Sequence, residues 1–192
     1  MVKMEINPNI DYQNSLREIF RRIYPRPRKI LEFGTGPEAL SSKVFLEDEG
    51  IESIISIDLT NHGDLISHPK WHFICGNSTE VELPINIFYD LIYIDTDHTE
   101  GQTLKELERA LFLLSDDGLI LLDDCLADLG YIKVFEAVAK FLRMKVPEID
   151  LWFSVDPRNH GWGFLRKKPL FELQMGWDSK YRESKNGPIL KI

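Results

Sequence analysis

Cysteine is scarce in this chain. Its 192 residues include two, Cys75 and Cys125, and neither stands in a CxxC or a Cys/His spacing. That argues against a disulfide framework or a thiolate zinc site and predicts reduced, mostly buried thiols. Long apolar runs are missing too, since none approaches the roughly 20 residues of a membrane span. The opening MVKMEINPNIDY lacks the apolar core of a signal peptide. A cytoplasmic protein with no membrane partner is expected. Positive charge is in the minority: 23 Lys and Arg face 31 Asp and Glu, a formal net charge of -8. General binding to a phosphate backbone, and so a nucleic-acid partner, is not expected. The one basic cluster, Arg17 to Lys29, reads as a solvated helix face and a loop. There is no internal repeat and no low-complexity segment.

What is present suits a folded domain. Apolar residues make up 43% and charged residues 28%, which argues against disorder. Tyr12 to Tyr24 has Leu16, Ile19, Phe20 and Ile23 at helical spacing, and Pro25 and Pro27 stop it. Short apolar runs then alternate with helical stretches. The strands expected are Lys29–Phe33, Ser53–Asp58, Trp71–Gly76, Asp90–Asp95 and Leu119–Leu122. The helices expected run from Pro37 to about Glu49 with Gly50 as C-cap, from Leu104 to Leu114, and from Ile132 to Met144. Gly118 is read in a turn. IDLWFSV and GWGFLRK read as two strands joined by Asp156–His160, an antiparallel hairpin at an edge. Apolar strands alternating with helices imply a parallel sheet covered on both faces. The organisation expected is an N-terminal helix and linker (1–28), a ligand-binding domain (29–168) and a C-terminal tail (169–192).

GTGPEA, Gly34 to Ala39, falls between the first strand and its helix and matches G-x-G-x-x-G/A. Asp58 ends the second strand, where an acid can accept the ribose hydroxyls of a nucleoside lying across the strand ends. Dinucleotides and S-adenosylmethionine share this arrangement. Glu32 and Glu38 lean toward the second, because carboxylates near the loop would repel a pyrophosphate and favour an ammonium.

LEFGTGPEAL, ISIDLT, GNST, DLIYIDTDHTEG and LSDDGLILLDD occur in that order. With them the chain resembles the class I S-adenosylmethionine-dependent methyltransferases over Lys29 to Lys167. Within the class it resembles the small-molecule O-methyltransferase branch, which includes catechol and macrolide-sugar enzymes. The resemblance implies an α/β fold: a Rossmann-like doubly wound sheet of seven strands, mostly parallel, with an antiparallel C-terminal hairpin strand. It departs from the family's ExGxGxG pattern at Glu38, which takes the third glycine position. Carried over, Glu32, Gly34, Thr35 and Gly36 would line the methionine part of the cofactor. Asp58 would hold the ribose, Leu59 would pack on the adenine, and Asn77 and Ser78 would contact its amino end. Asp95 would sit beside the sulfonium.

The ends of the fourth and fifth strands bring Asp95 near Asp123 and Asp124. Converging carboxylates need a proton, a cation or water between them. A hard divalent ion such as Mg²⁺ suits oxygen ligands, and in metal-dependent relatives the matching positions hold one. Alternatively, Asp123 and Asp124 are loop acids, one of them a cap. Asp97 is a ligand, a supporting residue or plain loop. His98 is the candidate general base, with Asp95 beside it as a catalytic group; the alternative is a histidine bonded to an acid at a helix start. His62 and His160 are weaker candidates. Trp152, Trp162 and Tyr131 either wall an acceptor pocket or pack in the core.

The reading that follows is methyl transfer from S-adenosylmethionine to a hydroxyl of a small molecule, assisted or not by Mg²⁺. Two others stay open: an NAD(P)-dependent oxidoreductase, for which no obvious hydride-site constellation speaks, and a non-catalytic nucleoside-binding protein of the same fold. Little chain is left for a substrate lid, so the N-terminal helix, the tail or a second copy in a homodimer would cover the acceptor.

Overall fold

Period-two alternation with apolar residues in both phases makes a strand that two layers must cover. In β1 (Lys29–Phe33), Leu31 and Phe33 face one way and Ile30 the other, and all three are fully buried. The computed structural model describes residues 8–84, 86–125, 132–145, 149–154 and 161–167. Among them β2 (Ser53–Asp58), β3 (Trp71–Cys75), β4 (Tyr89–Ile94), β5 (Leu114–Leu122), β6 (Ile149–Ser154) and β7 (Trp162–Lys167) join β1 in one sheet. Its order is β3-β2-β1-β4-β5-β7-β6. The first five are parallel, and β7 runs antiparallel to both β5 and β6. The expected α/β, mostly parallel seven-stranded architecture is what the chain adopts. The antiparallel hairpin stands at the sheet's edge as expected; within it β7 pairs with β5 and β6 is the outermost strand.

Helices cover the sheet on each side. α1 (Pro8–Phe20) and α2 (Leu40–Leu46) bring Leu16, Phe20, Val44 and Phe45 onto Ile30, Ile54, Leu91 and Leu121. α3 (Glu100–Leu113) and α4 (Ile132–Lys145) bring Leu107, Ala110, Val138 and Phe141 onto Leu31, Phe33, Ile92 and Ile120. Each such side chain taken from water contributes about 1.5–3 kcal/mol.

Several boundaries move, each for a local reason. α1 starts at Pro8, which needs no donor in a first turn, and ends before the Pro25 region rather than at Tyr24. α2 does not start at Pro37. Ala39 at its N-cap is left-handed, φ 48°, so helical geometry begins at Leu40. It ends at Leu46, and Gly50 instead donates its N–H to the Asp48 carboxylate in the following turn. α3 starts four residues earlier than Leu104 because Thr99 caps it, accepting from the Gln102 N–H. β5 is longer than expected: Leu114 already pairs with Tyr89, and a register shift absorbs Ser115–Gly118 within the strand. Cys125 is buried as expected, whereas Cys75, at the end of edge strand β3, is exposed. Arg17 and Arg28 of the basic cluster pair with Glu47 and Glu52 on the surface. No described helix is long and apolar enough to cross a membrane. Tyr131, His160, the Asp156–His160 connection and the 169–192 tail lie outside the described residues, as does the side chain of Trp152.

Candidate functional site

The strand order reverses direction between β1 and β4, and a ligand crevice opens beyond the C-terminal ends at such a switch point. The ladder carries one residue past each strand there. Asp95 donates its N–H to Phe33 O, Asp123 to Ile94 O, and Gly34 to Ile57 O. The acids therefore start where pairing stops, and their side chains meet a cleft of about 1120 Å³ lined from Gly34 to Ser41, by Asp58 to Thr60, Gly76 to Ser78, Asp95 to Asp97, and Asp123 and Asp124. Tyr12 of α1 and Gln102 of α3 close its sides. That volume admits a nucleoside-sized ligand and a second small molecule.

The two glycines of the loop serve different ends. A Cβ on Gly34 would stand 1.7 Å from the Asp95 carbonyl oxygen, whereas one on Gly36 would meet nothing within 4 Å. Gly34 lets two backbones touch; Gly36 supplies a left-handed turn, φ 65°, facing open space. Thr35 Oγ1 is buried beside the cleft with no hydrogen-bond partner, an orphaned group that a ligand donor or acceptor would satisfy. Asp58 Oδ2 accepts the N–H groups of Thr35 and Gly36, each at 3.0 Å, and Oδ1 accepts that of Thr60 at 2.9 Å. Burial alone would raise its carboxyl pKa, but the Thr60, Gly36 and Thr35 donors outweigh it and hold it below the usual range. Asp58 thus ties the glycine loop to β2. His62 Nε2 stands 4.0 Å from it. Leu59 projects from the cleft edge, 74% exposed, while Asn77 and Ser78 line the far side.

Glu32 does not reach the cleft. It is fully buried under α2 and accepts the hydroxyls of Ser41, Ser42 and Ser56. Burial raises its pKa, and the three hydroxyls pull the other way. The expectation that it lines the cofactor's methionine part is corrected: strand alternation turns it toward the α1–α2 face, where a serine cluster satisfies it.

The acids sort into two roles. Asp95 Oδ1 and Asp124 Oδ2 lie 3.3 and 3.0 Å from His98 Nε2. Asp95, His98 and Asp124 offer one ligand atom each within 4.8 Å of one another, a donor set that a divalent ion fits. Asp123, expected in that set, lines the cleft but stands outside the set: its Oδ1 accepts the Asp124 N–H at 2.9 Å and its Oδ2 lies 3.3 Å from the Tyr93 hydroxyl. Burial first, then Asp95 and Asp124, push its pKa well up. The His98 pKa is raised chiefly by its hydrogen bond to Asp95 and further by the Asp124 charge, against burial. His98 (φ 56°) and Asp124 (φ 55°) are both left-handed non-glycine residues, a conformation held only where surroundings enforce it. Asp97 serves the turn, its Oδ1 accepting Thr99 N–H and hydroxyl at 3.0 Å.

Sequence reasoning missed Tyr12, Tyr93, Gln102 and Glu106. Tyr12 and Tyr93 bond hydroxyl to hydroxyl, and the Tyr93 hydroxyl also faces Asp95. Tyr93 lies two residues before Asp95 on one strand face, a signal period-two reading could have found. Glu106 sits on the buried stripe of α3 with Thr103, Leu107 and Ala110; a carboxylate on that stripe was equally legible. Trp162 is core: fully buried, it donates to Ser15 Oγ and packs against Tyr12 and Tyr93.

No curated protein sequence matches the chain. Among solved structures, the SAH-bound methyltransferase PaMTH1 of Podospora anserina superposes with a TM-score of 0.55 at 18% identity, covering 85% of this chain and 89% of that one. A proposed O-methyltransferase of Klebsiella pneumoniae gives 0.61 at 16%, covering 88% and 84%. The MycE methyltransferase of mycinamycin biosynthesis, solved with Mg, SAH and mycinamycin VI, gives 0.59 at 14%, covering 88% of this chain and 51% of its own. At these identities the likeness is one of fold. A family model described as a methyltransferase domain matches residues 31–125. That segment, from β1 through the Asp123–Asp124 pair, is similar to methyltransferase domains, and the chain has the Rossmann-like fold of the solved methyltransferases.

Proposed function

We propose that the protein transfers the methyl group of S-adenosylmethionine to a hydroxyl of a small molecule, with a divalent ion such as Mg²⁺ held by Asp95 and Asp124. The observation that carries this reading is the convergence of those two carboxylates on His98 Nε2 at the rim of the cleft. The cofactor's methionine part would lie over Gly34–Gly36, using the orphaned Thr35 hydroxyl. Its ribose would bond to Asp58, and its adenine would reach Asn77 and Ser78 beside Leu59. Bound between Asp95 and Asp124, a divalent ion would lower the pKa of an acceptor hydroxyl and fix its oxygen.

The chain's own groups do the rest. In the free protein His98 faces Asp95 and Asp124, which raise its pKa and favour its charged form. With its Nε2 proton given up to solvent, the neutral imidazole takes the acceptor's proton on Nε2. The acceptor oxygen then forms its bond to the methyl carbon as the carbon–sulfur bond breaks, and the electron pair stays on sulfur in S-adenosylhomocysteine. Asp123 backs the site from behind, and Tyr12 and Tyr93 exclude water from its α1 side. The placement of the acceptor oxygen against the sulfonium supplies much of the acceleration.

Calorimetric titration tests the reading. S-adenosylhomocysteine should bind and NAD should not; the opposite result would overturn it in favour of an oxidoreductase. Mg²⁺ should bind the wild type and not Asp124→Ala. With an acceptor found among small hydroxylated compounds, His98→Ala should lower kcat by about 10²–10⁴ while leaving S-adenosylhomocysteine binding intact.

A further inference from the structure

The α1 side of the cleft ends in two phenols whose hydrogen-bond polarity is fixed by their neighbours. Tyr93 is fully buried, its ring edge-on to Phe45 at 5.7 Å and beside Trp162 at 6.3 Å. Its hydroxyl has three oxygens around it: Tyr12 Oη, and Asp95 Oδ2 and Asp123 Oδ2 at 3.3 Å each. A phenol is protonated near neutral pH and has one proton to donate. As a carboxylate, Asp95 can only accept, and its other oxygen faces His98 Nε2. Tyr93 therefore directs its proton to the acids, and Tyr12 directs its own to Tyr93. The reverse order would set Tyr93 Oη against a carboxylate with no proton between them.

Tyr12 is placed to touch a ligand. It lines the cleft and is half-buried. One turn further along α1, Ser15 accepts the indole N–H of Trp162 at 2.9 Å, and the Tyr12 ring lies 6.0 Å from that indole. Helix and ring are thus held together. With its proton directed to Tyr93, Tyr12 Oη offers only lone pairs, and it meets no other partner among the described residues. Through Tyr93 it stands two hydrogen bonds from Asp95 Oδ2, at the end of the cleft where the acceptor hydroxyl is proposed to react.

Building on the methyl-transfer reading of the cleft, we infer that Tyr12 Oη binds the acceptor through a second hydrogen-bond donor, a hydroxyl or amine on the carbon next to the one that bears the methylated hydroxyl. Tyr93 is the positioning residue that fixes the polarity of Tyr12. An acceptor with an ether at the neighbouring carbon sets oxygen against oxygen and is rejected. The same filter acts on the product. Once a diol carries one methyl, its ether oxygen takes the place of the donor, so the reaction stops after a single transfer. α1 is then a selective wall of the acceptor site and not only its cover.

The experiment measures S-adenosylhomocysteine release by the full chain with S-adenosylmethionine, Mg²⁺ and matched compounds. Catechol, 2-aminophenol and cis-1,2-cyclohexanediol carry the second donor; 2-methoxyphenol and 2-methoxycyclohexanol carry an ether in its place. In a set that is methylated, kcat/KM for the donor-bearing compound should exceed that for the ether roughly ten- to a hundredfold, because the ether leaves Tyr12 Oη opposite a second acceptor. Tyr12→Phe keeps the ring and should bring the ratio close to one, with dimethylated product accumulating from the diol. In Tyr93→Phe, Tyr12 is free to turn its proton to the cleft and donate to the ether, so the ratio should fall there too. A merely structural Tyr93 would slow both compounds equally. Melting temperatures of both variants confirm folding. A Tyr12→Phe variant with the wild-type ratio means that bulk and not polarity excludes the ether, and overturns the inference. A Tyr93→Phe variant with that ratio overturns the positioning role. Equal rates for donor and ether in the wild type overturn the inference but leave methyl transfer standing. Binding of S-adenosylhomocysteine without methylation of any donor-bearing compound overturns the donor requirement alone. Failure of S-adenosylhomocysteine to bind overturns the reading of the cleft, and the inference with it.

Discussion

Asp123 and His98 titrate in the same direction for opposite electrostatic reasons. His98 gains Asp95 and Asp124 as partners, so its pKa is raised in the fold. Its contribution to stability is complete below its unfolded pKa, about 6.5, and is lost as pH rises through the folded value. Asp123 is a carboxyl buried beside Asp95 and Asp124, and its pKa is raised well above the ordinary one. Its contribution is likewise complete below the unfolded carboxylate pKa and is lost as pH climbs through the folded value, where a buried charge appears. Asp123→Asn keeps an uncharged group of the same shape at every pH. In urea unfolding without divalent ions, it should be more stable than wild type at pH 8 by about 1 kcal/mol or more. The difference should vanish near pH 4, and one independent of pH would refute the account. Residue roles of this kind were half legible in sequence. The acids of IDTDH and LLDD announced a site. Which of them stands outside the donor set was not legible, because that depends on Tyr93 standing beside Asp123. Glu32 was misread for the same reason: a carboxylate two residues before a glycine loop looks like a ligand until Ser41, Ser42 and Ser56 are seen around it.

Between elements, the decisive contact is the glycine loop against the end of β4. A Cβ on Gly34 meets backbone atoms of Asp95 at 1.7 and 2.6 Å, and no rotamer change can move backbone aside. At Gly36 the obstacle is only a left-handed φ with free space around it. Gly34→Ala should therefore destabilise the protein by about 3 kcal/mol or more, and Gly36→Ala by about 1 kcal/mol. Chemical denaturation of the two variants side by side tests this; equal losses would mean that the β1–β4 approach relaxes freely. The loop's existence could be read from GTGPEA between an apolar run and a helix, but this division of labour could not. It is a matter of which strand lies beside β1, and sequence order does not give that. The late start of α2 and the irregular first half of β5 were hidden likewise. Pro37 is a good first-turn residue in isolation, and only the left-handed Ala39 rules the helix out there.

Across the whole molecule, apolar runs separated by helices foretold a parallel sheet, and the order β3-β2-β1-β4-β5-β7-β6 fulfils it. The insertion of β7 between β5 and β6 escaped the sequence because neighbours in the chain suggest only that those two strands pair. That topology also concentrates charge. Asp58, Asp95, Asp97 and Asp124 all line one cleft in a chain of net charge -8. The field at the cleft mouth should attract cations and focus them inward. S-adenosylmethionine carries a net positive charge through its sulfonium, whereas S-adenosylhomocysteine is neutral overall, and the two are otherwise nearly the same shape. The pair is thus a direct probe of steering. In stopped-flow binding, the association rate of S-adenosylmethionine should fall several-fold between about 20 mM and about 0.5 M salt, as screening shortens the field to a few ångströms. That of S-adenosylhomocysteine should stay nearly level, and Asp124→Asn should flatten the first curve toward the second. Equal salt dependence for both ligands would mean that the acids act only at contact, through His98 and a bound cation, and that the charge of the whole chain plays no part in capture.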